Sequence, residues 1–148
     1  MPSATFTDIL SAVQSTIRGL SLEGIDSDEI QVRKQPWHRK LALPGVLITP
    51  VEEILPADGG TNARNDIGYG VRITLVQAGN QSPDTNLDRL LRWREQVVRA
   101  FQAKRLAGVT PSIVCRIEPG LVFEPIAADR QYDVSALVIR CFTREART

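Results

Sequence analysis

One histidine, one methionine, two cysteines and an aromatic content of 5% leave this 148-residue sequence short of the usual catalytic material. A single His38 excludes a histidine relay and any metal site that needs two imidazole ligands. It sits among Arg33, Lys34, Arg39 and Lys40, where a solvated basic loop is its expected setting. Cys115 and Cys141 have no CxxC spacing and lie in apolar runs. Buried free thiols are the commoner reading of two such cysteines, and a reducing, cytosolic assembly environment fits them. Neither GxxxxGK[ST] nor GxGxxG occurs, and Gly68-Tyr69-Gly70 lies inside a strand pattern without the helix that a phosphate loop requires. Glu52 and Glu53 are adjacent carboxylates, but neighbours on a strand point to opposite faces and cannot share an acid/base site. The apolar context of Cys115 raises a thiol pKa and so argues against a nucleophile. No run approaches the roughly 18 consecutive apolar residues of a membrane-spanning helix. The N-terminal segment has Asp8 inside its apolar pattern and no basic stretch before it, unlike a secretory signal. The expectation is a non-enzyme with no cofactor, no metal and no membrane span.

What is present is the composition of an ordinary globular domain, with 43% hydrophobic and 24% charged residues. The length suits a single domain able to bury a core without disulfide or metal support. Eighteen basic residues against seventeen acidic ones give a net charge of +1, which argues against a surface built to coat a polyanion. The distribution is uneven: residues 1–30 carry −4 and the remainder +5. That asymmetry can serve contacts between copies of the chain, or it is simply an uneven solvated surface.

Hydrophobic periodicity divides the chain into seven elements. Ile9, Leu10, Val13 and Ile17 follow helical spacing over Thr7–Leu20, with Thr5 or Thr7 as N-cap and Gly19 or Gly24 as the stop. A short strand follows over Glu29–Trp37, ended or confined to an edge by Pro36, and a second over Gly45–Ile54. Ile67, Tyr69, Val71, Ile73 and Leu75 alternate with Gly68, Gly70, Arg72 and Thr74, the pattern of a half-buried antiparallel strand. A second helix spans about Leu87–Leu106, capped by Asp84, Thr85 or Asn86 and ended by Gly108 and Pro111. Its apolar series is Leu87, Leu90, Leu91, Val97, Val98 and Phe101, with Arg94 the one charged member and Trp93 and Ala100 widening it. Ser112–Glu118 is a fourth strand, and Tyr132–Thr143 a long fifth one with apolar residues on both faces. The order α-β-β-β-α-β-β predicts an α+β domain, a mostly antiparallel sheet of about five strands packed with two helices.

The second helix carries Arg89, Arg92, Arg99, Lys104 and Arg105 on its polar side, and the loop Arg33–Lys40 includes Trp37. Arginines neutralise phosphates and an aromatic ring stacks on a base, so a small nucleic-acid-binding module is one reading. The pI near 7.8 and the thin aromatic content weigh against it.

The segments Asn65–Val76, Leu90–Phe101 and Tyr132–Arg140, together with the element order, resemble the tail terminator and tail-completion proteins of long-tailed bacteriophages. The resemblance covers nearly the whole chain as an element order. It implies a structural virion protein without catalytic residues or cofactor. Such a protein forms a ring, usually a hexamer, that caps the tail tube and joins it to the neck. The implied partners are further copies of the chain, the tail tube protein and neck or connector proteins, with DNA passing through without specific binding. The implied location is the tail-neck junction of the virion, reached by assembly in the host cytoplasm. No individual functional residue carries over from the family. Candidate contacts under this reading are Trp37 and Arg39 in the loop Gln35–Pro44, and Asp58, Asn62 and Arg64 in the turn-rich stretch Pro56–Asp66. Ile139 represents the last strand, expected at the sheet centre or a subunit seam. Arg89, Arg92 and Arg99 are candidate DNA-path contacts; a path lined with acids is equally compatible. A neck connector or head-completion protein of the same assembly is the alternative reading.

Overall fold

The structure is a computed structural model; it describes residues 5–33, 43–54, 64–78, 83–106, 112–118 and 132–146. Helix α1 (Thr5–Gly19) buries Ile9, Ala12, Val13 and Ile17, the stripe that three- and four-residue spacing places on one side. Burial of each large aliphatic side chain in that stripe contributes roughly 1.5–3 kcal/mol. The helix starts at Thr5, so Thr7 lies within its first turn and is not a cap. It ends at Gly19, although the left-handed residues that follow are Ser21 (φ 51°) and Gly24 (φ 80°).

A single 3₁₀ turn, Ser27–Glu29, leads into β1 (Ile30–Val32). The other strands are β2 (Gly45–Ile54), β3 (Arg64–Ala78), β4 (Ser112–Glu118) and β5 (Tyr132–Ala146), with helix α2 (Pro83–Phe101) between β3 and β4. The five strands form one sheet in the order β1-β2-β3-β5-β4. β1 runs parallel to β2 and every other neighbour pair is antiparallel. The α+β class and the element order are those that periodicity predicts. The short first strand does lie at an edge, and the long β5 lies between β3 and β4.

Register assigns the two faces of the sheet. Val46 and Ile48 of β2, Tyr69 to Leu75 at odd positions of β3, Cys115 of β4 and Leu137, Ile139 and Cys141 of β5 share one face. They form one core with α1 and α2, including Leu90, Trp93, Val97 and Phe101. Phe6 of α1 meets Tyr69 edge to face at 5.0 Å between ring centroids. Leu47, Thr49, Thr74, Val76 and Arg140 lie on the opposite face and are buried as well. A shift of register between Pro50 and Glu52 returns Glu52 to that second face, opposite Gly70, while Glu53 stands opposite Tyr69.

Two expected helix boundaries are corrected. Helix α2 begins at Pro83, a residue suited to a first helical position, so Asp84, Thr85 and Asn86 lie inside its first turn and do not cap it. It ends at Phe101, well before Gly108 and Pro111, because Ala103 turns into the left-handed region (φ 56°) and gives its N–H to Cys115 O at 3.0 Å. The inward face of α2 is also rotated from the expected series. Trp93 stands at its centre, fully buried, whereas Leu87 and Leu91 are about 40% exposed at its flank.

Candidate functional site

Among the described residues the charged side chain most deeply set in the sheet is Arg140 of β5, 6% exposed. It lies on the face away from the helices, opposite Gly70 of β3 on one side and Arg116 of β4 on the other. Because Gly70 and Gly68 carry no side chain, the arginine crosses β3. A Cβ at Gly70 would stand 3.3 Å from Arg140 Nη1, and one at Gly68 3.2 Å from Arg140 Cδ. Arg140 Nη2 donates to Glu52 Oε1 of β2 at 2.9 Å and Arg140 Nε to Glu118 Oε1 of β4 at 2.5 Å. One cation thus ties β2, β5 and β4 across the glycine trough. The hydrogen bond from Arg140 holds the Glu118 carboxyl below the usual carboxylate range, against a smaller opposing effect of burial. Glu118 in turn raises the guanidinium pKa of Arg140. With both carboxylates engaged by one cation, the cluster acts as a strut and offers no free acid, base or nucleophile.

The same face holds the buried side-chain polar atoms that lack a hydrogen-bond partner among the described residues, namely Thr49 Oγ1, Thr74 Oγ1 and Arg140 Nη1.

The polar side of α2 borders a cleft of about 360 Å³ lined by Glu23, Arg92, Trp93, Glu95, Gln96 and Arg99. Its floor is Trp93, whose indole N–H donates to Glu23 O at 3.1 Å. Arg89 lies over the Trp93 ring at 4.8 Å and donates to Gln77 Oε1 at 3.2 Å. Arg92 bridges Asp88 at 2.7 Å and Glu23 at 3.1 Å, and Arg99 pairs with Glu95. Each arginine proposed to face DNA therefore has an internal partner. Arg94, the charged member of the apolar series, donates to Ser135 Oγ and Ala136 O of β5, and burial lowers its pKa. The Glu23–Arg92 pair also uses part of the acidic-to-basic asymmetry within one chain.

Groups of the same chain occupy both outer edges of the sheet. Ile30 O of β1 accepts from Gln14 Nε2 and Arg18 Nη2. At β4, Cys115 N–H donates to Lys104 O at 2.8 Å, Cys115 O accepts from Ala103 N–H, and Ile117 N–H donates to Gln102 Oε1 at 2.9 Å. The β1 side carries exposed Asp26 and Asp28, and the β4 side exposed Lys104, Arg105 and Arg116.

Among the contact candidates from sequence, Trp37, Arg39, Asp58 and Asn62 lie outside the described residues, as do His38 and most of the loops Gln35–Pro44 and Pro56–Asp66. Arg64 opens β3 opposite Ala146. Ile139 is fully buried in the core beneath the helices of its own chain, on a strand interior to the sheet. The Glu52–Arg140–Glu118 strut escaped sequence reading; its only local signals were a lone arginine in an apolar strand and two glycines on the polar face of β3. Among the described residues no group of three or more His, Cys, Asp or Glu side chains could hold a metal ion, and no helix is long and apolar enough to cross a membrane. No protein-family model matches the chain, and no curated protein matches it at a significant level.

Proposed function

We propose that this chain is a structural protein of a long-tailed phage particle, a tail terminator that closes the tail tube as a ring and joins it to the neck. The observation that carries the reading is the element order α-β-β-β-α-β-β in a mostly antiparallel five-stranded sheet with its helices on one face, the order of the proteins the sequence resembles. A closed ring needs two different complementary patches on each subunit. The charges at the two ends of the strand order have that character: Asp26 and Asp28 flank β1, and Lys104, Arg105 and Arg116 flank β4. Since Gln14, Arg18, Gln102 and the 103–104 backbone occupy the edges, the subunits meet through side chains and loops and not by continuing the sheet. Arg92 and Arg99 pair with carboxylates of the same chain in exposed ion pairs, which are weak, so a nucleic-acid-binding module stays the third reading.

The test is the mass of the purified chain by light scattering, alone and with polymerised tail tube, with electron microscopy of the tube ends. A closed ring of about six copies, free or on the tube end, is expected. A monomer that ignores the tube overturns the terminator reading, and binding to isolated portal or connector rings instead assigns the chain to the neck. Salt-sensitive oligonucleotide binding lost in an Arg92→Glu/Arg99→Glu variant would favour the nucleic-acid module.

A further inference from the structure

Cys115 of β4 and Cys141 of β5 stand directly opposite one another in the antiparallel ladder. The N–H and C=O of Cys115 point away from β5, to Lys104 O and from Ala103 N–H. Cys115 and Cys141 are therefore a non-hydrogen-bonded pair, the kind whose Cα atoms approach to about 4.5 Å and whose side chains come closest. That separation lies within the range spanned by disulfides, about 4.4–6.8 Å. The sulfurs are 3.1 Å apart, both residues are fully buried, and both are free thiols. The spacing of 26 residues in sequence gave no sign of this pairing, which the register creates.

We propose that Cys115 and Cys141 form an oxidation site, a thiol pair that a two-electron oxidant of the peroxide class converts into a cross-strand disulfide locking edge strand β4 to β5. A hydrogen bond joins the two sulfurs, and either thiol can be its donor; it lowers the pKa of Cys115, while it and burial raise that of Cys141. Cys115 sits on the edge strand and Cys141 on an interior one, so Cys115 is the sulfur that meets the oxidant first when the edge opens. Its thiolate attacks the O–O bond of hydrogen peroxide, forming a sulfenic acid and releasing hydroxide, which takes up the proton Cys115 lost and leaves as water. The Cys141 sulfur then displaces the sulfenic oxygen as hydroxide, which takes the Cys141 proton to give a second water. Two thiols and one peroxide become one disulfide and two waters. Peroxide reaches the pair when β4, a seven-residue edge strand, opens from the 103–104 clamp. Closing the bond removes that opening. Under the assembly proposed above, on which this one consequence rests, the lock sets when a particle built in a reducing cytosol reaches an oxidising medium.

The experiment uses the full chain, purified reduced and treated with hydrogen peroxide. Expected are loss of both titratable thiols, a mass decrease of about 2 Da with no covalent dimer, a Cys115–Cys141 cross-linked peptide in a non-reducing digest, and reversal by dithiothreitol. The oxidised chain should melt about 5–10 °C higher and exchange its β4 amide hydrogens more slowly. A Cys115→Ser variant, or Cys141→Ala if that one does not fold, should show no mass decrease. Retention of both thiols while β4 amides exchange, mass gains from sulfinic acid without cross-linking, or intermolecular dimers would overturn the proposal. None of these readouts depends on ring formation, so failure here leaves the assembly reading to its own test.

Discussion

The guanidinium of Arg140 reaches the carboxylate of Glu52, 2.9 Å away and two strands removed, by passing over Gly70. Glycine at this position is a requirement of close approach: a Cβ would lie 3.3 Å from both Arg140 Nη1 and the backbone oxygen of Glu52, and the latter cannot swing aside. A branched side chain would fill the trough and expel the arginine. Gly70→Val should destabilise the chain by about 1–3 kcal/mol, read as a lower urea midpoint with an unchanged slope. Unchanged stability would mean that Arg140 does not depend on crossing β3.

Glu118 gives the same strut a pH signature. Its folded pKa is depressed, mainly by the hydrogen bond from Arg140, so the unfolded chain holds that proton more tightly. The contribution to stability is then complete above the ordinary glutamate range, near 4.5, and declines as pH falls through the lower folded value. Glu118→Gln should lower the urea midpoint at pH 7, and the gap between variant and parent should shrink as pH drops from about 5 toward 3. A gap independent of pH would show that the ion pair is not what the substitution removes.

The two signals that made the fold legible, strict alternation over Ile67–Leu75 and helical spacing over Ile9–Ile17, are local and survive in the structure as the central strand and α1. The features that stayed hidden depend on groups distant in sequence. Glu52 and Arg140 are 88 residues apart, and only register brings them to one face. The end of α2 is fixed by pairing with Cys115, so no stop residue near Phe101 announces it. The inward rotation of α2 follows from the indole of Trp93 finding the Glu23 carbonyl, which spacing that weighs all apolar residues alike does not detect. The contact candidates from sequence were mostly loop residues, chosen for turn chemistry and charge, and neither property specifies a partner.

Ile139 separates core from interface. It is fully buried under the helices of its own chain, so truncation acts on folding and not on association. Ile139→Val should cost about 0.5–1.5 kcal/mol and leave the oligomeric mass unchanged. Ile139→Asp should abolish the soluble folded chain, because its carboxylate would be buried without a partner. An Ile139→Val protein of parental stability but altered oligomeric mass would return this residue to a subunit seam.

Among the described residues no group donates to or accepts from the buried hydroxyls of Thr49 and Thr74. A hydroxyl that leaves water on folding without gaining a bond carries a cost that a methyl group of the same shape does not incur. Thr49→Val and Thr74→Val should each stabilise the chain by about 1 kcal/mol, raising the melting temperature by about 2–4 °C. Thr49 stands opposite Arg72 and Thr74 opposite Leu47, which makes the two threonines diagonal neighbours on adjacent strands. Residues this close share surroundings, so the double variant need not show the sum of the single gains. Destabilisation by either substitution would show that its hydroxyl is bound in solution, to a buried water or a partner group, and that the face away from the helices is polar by requirement.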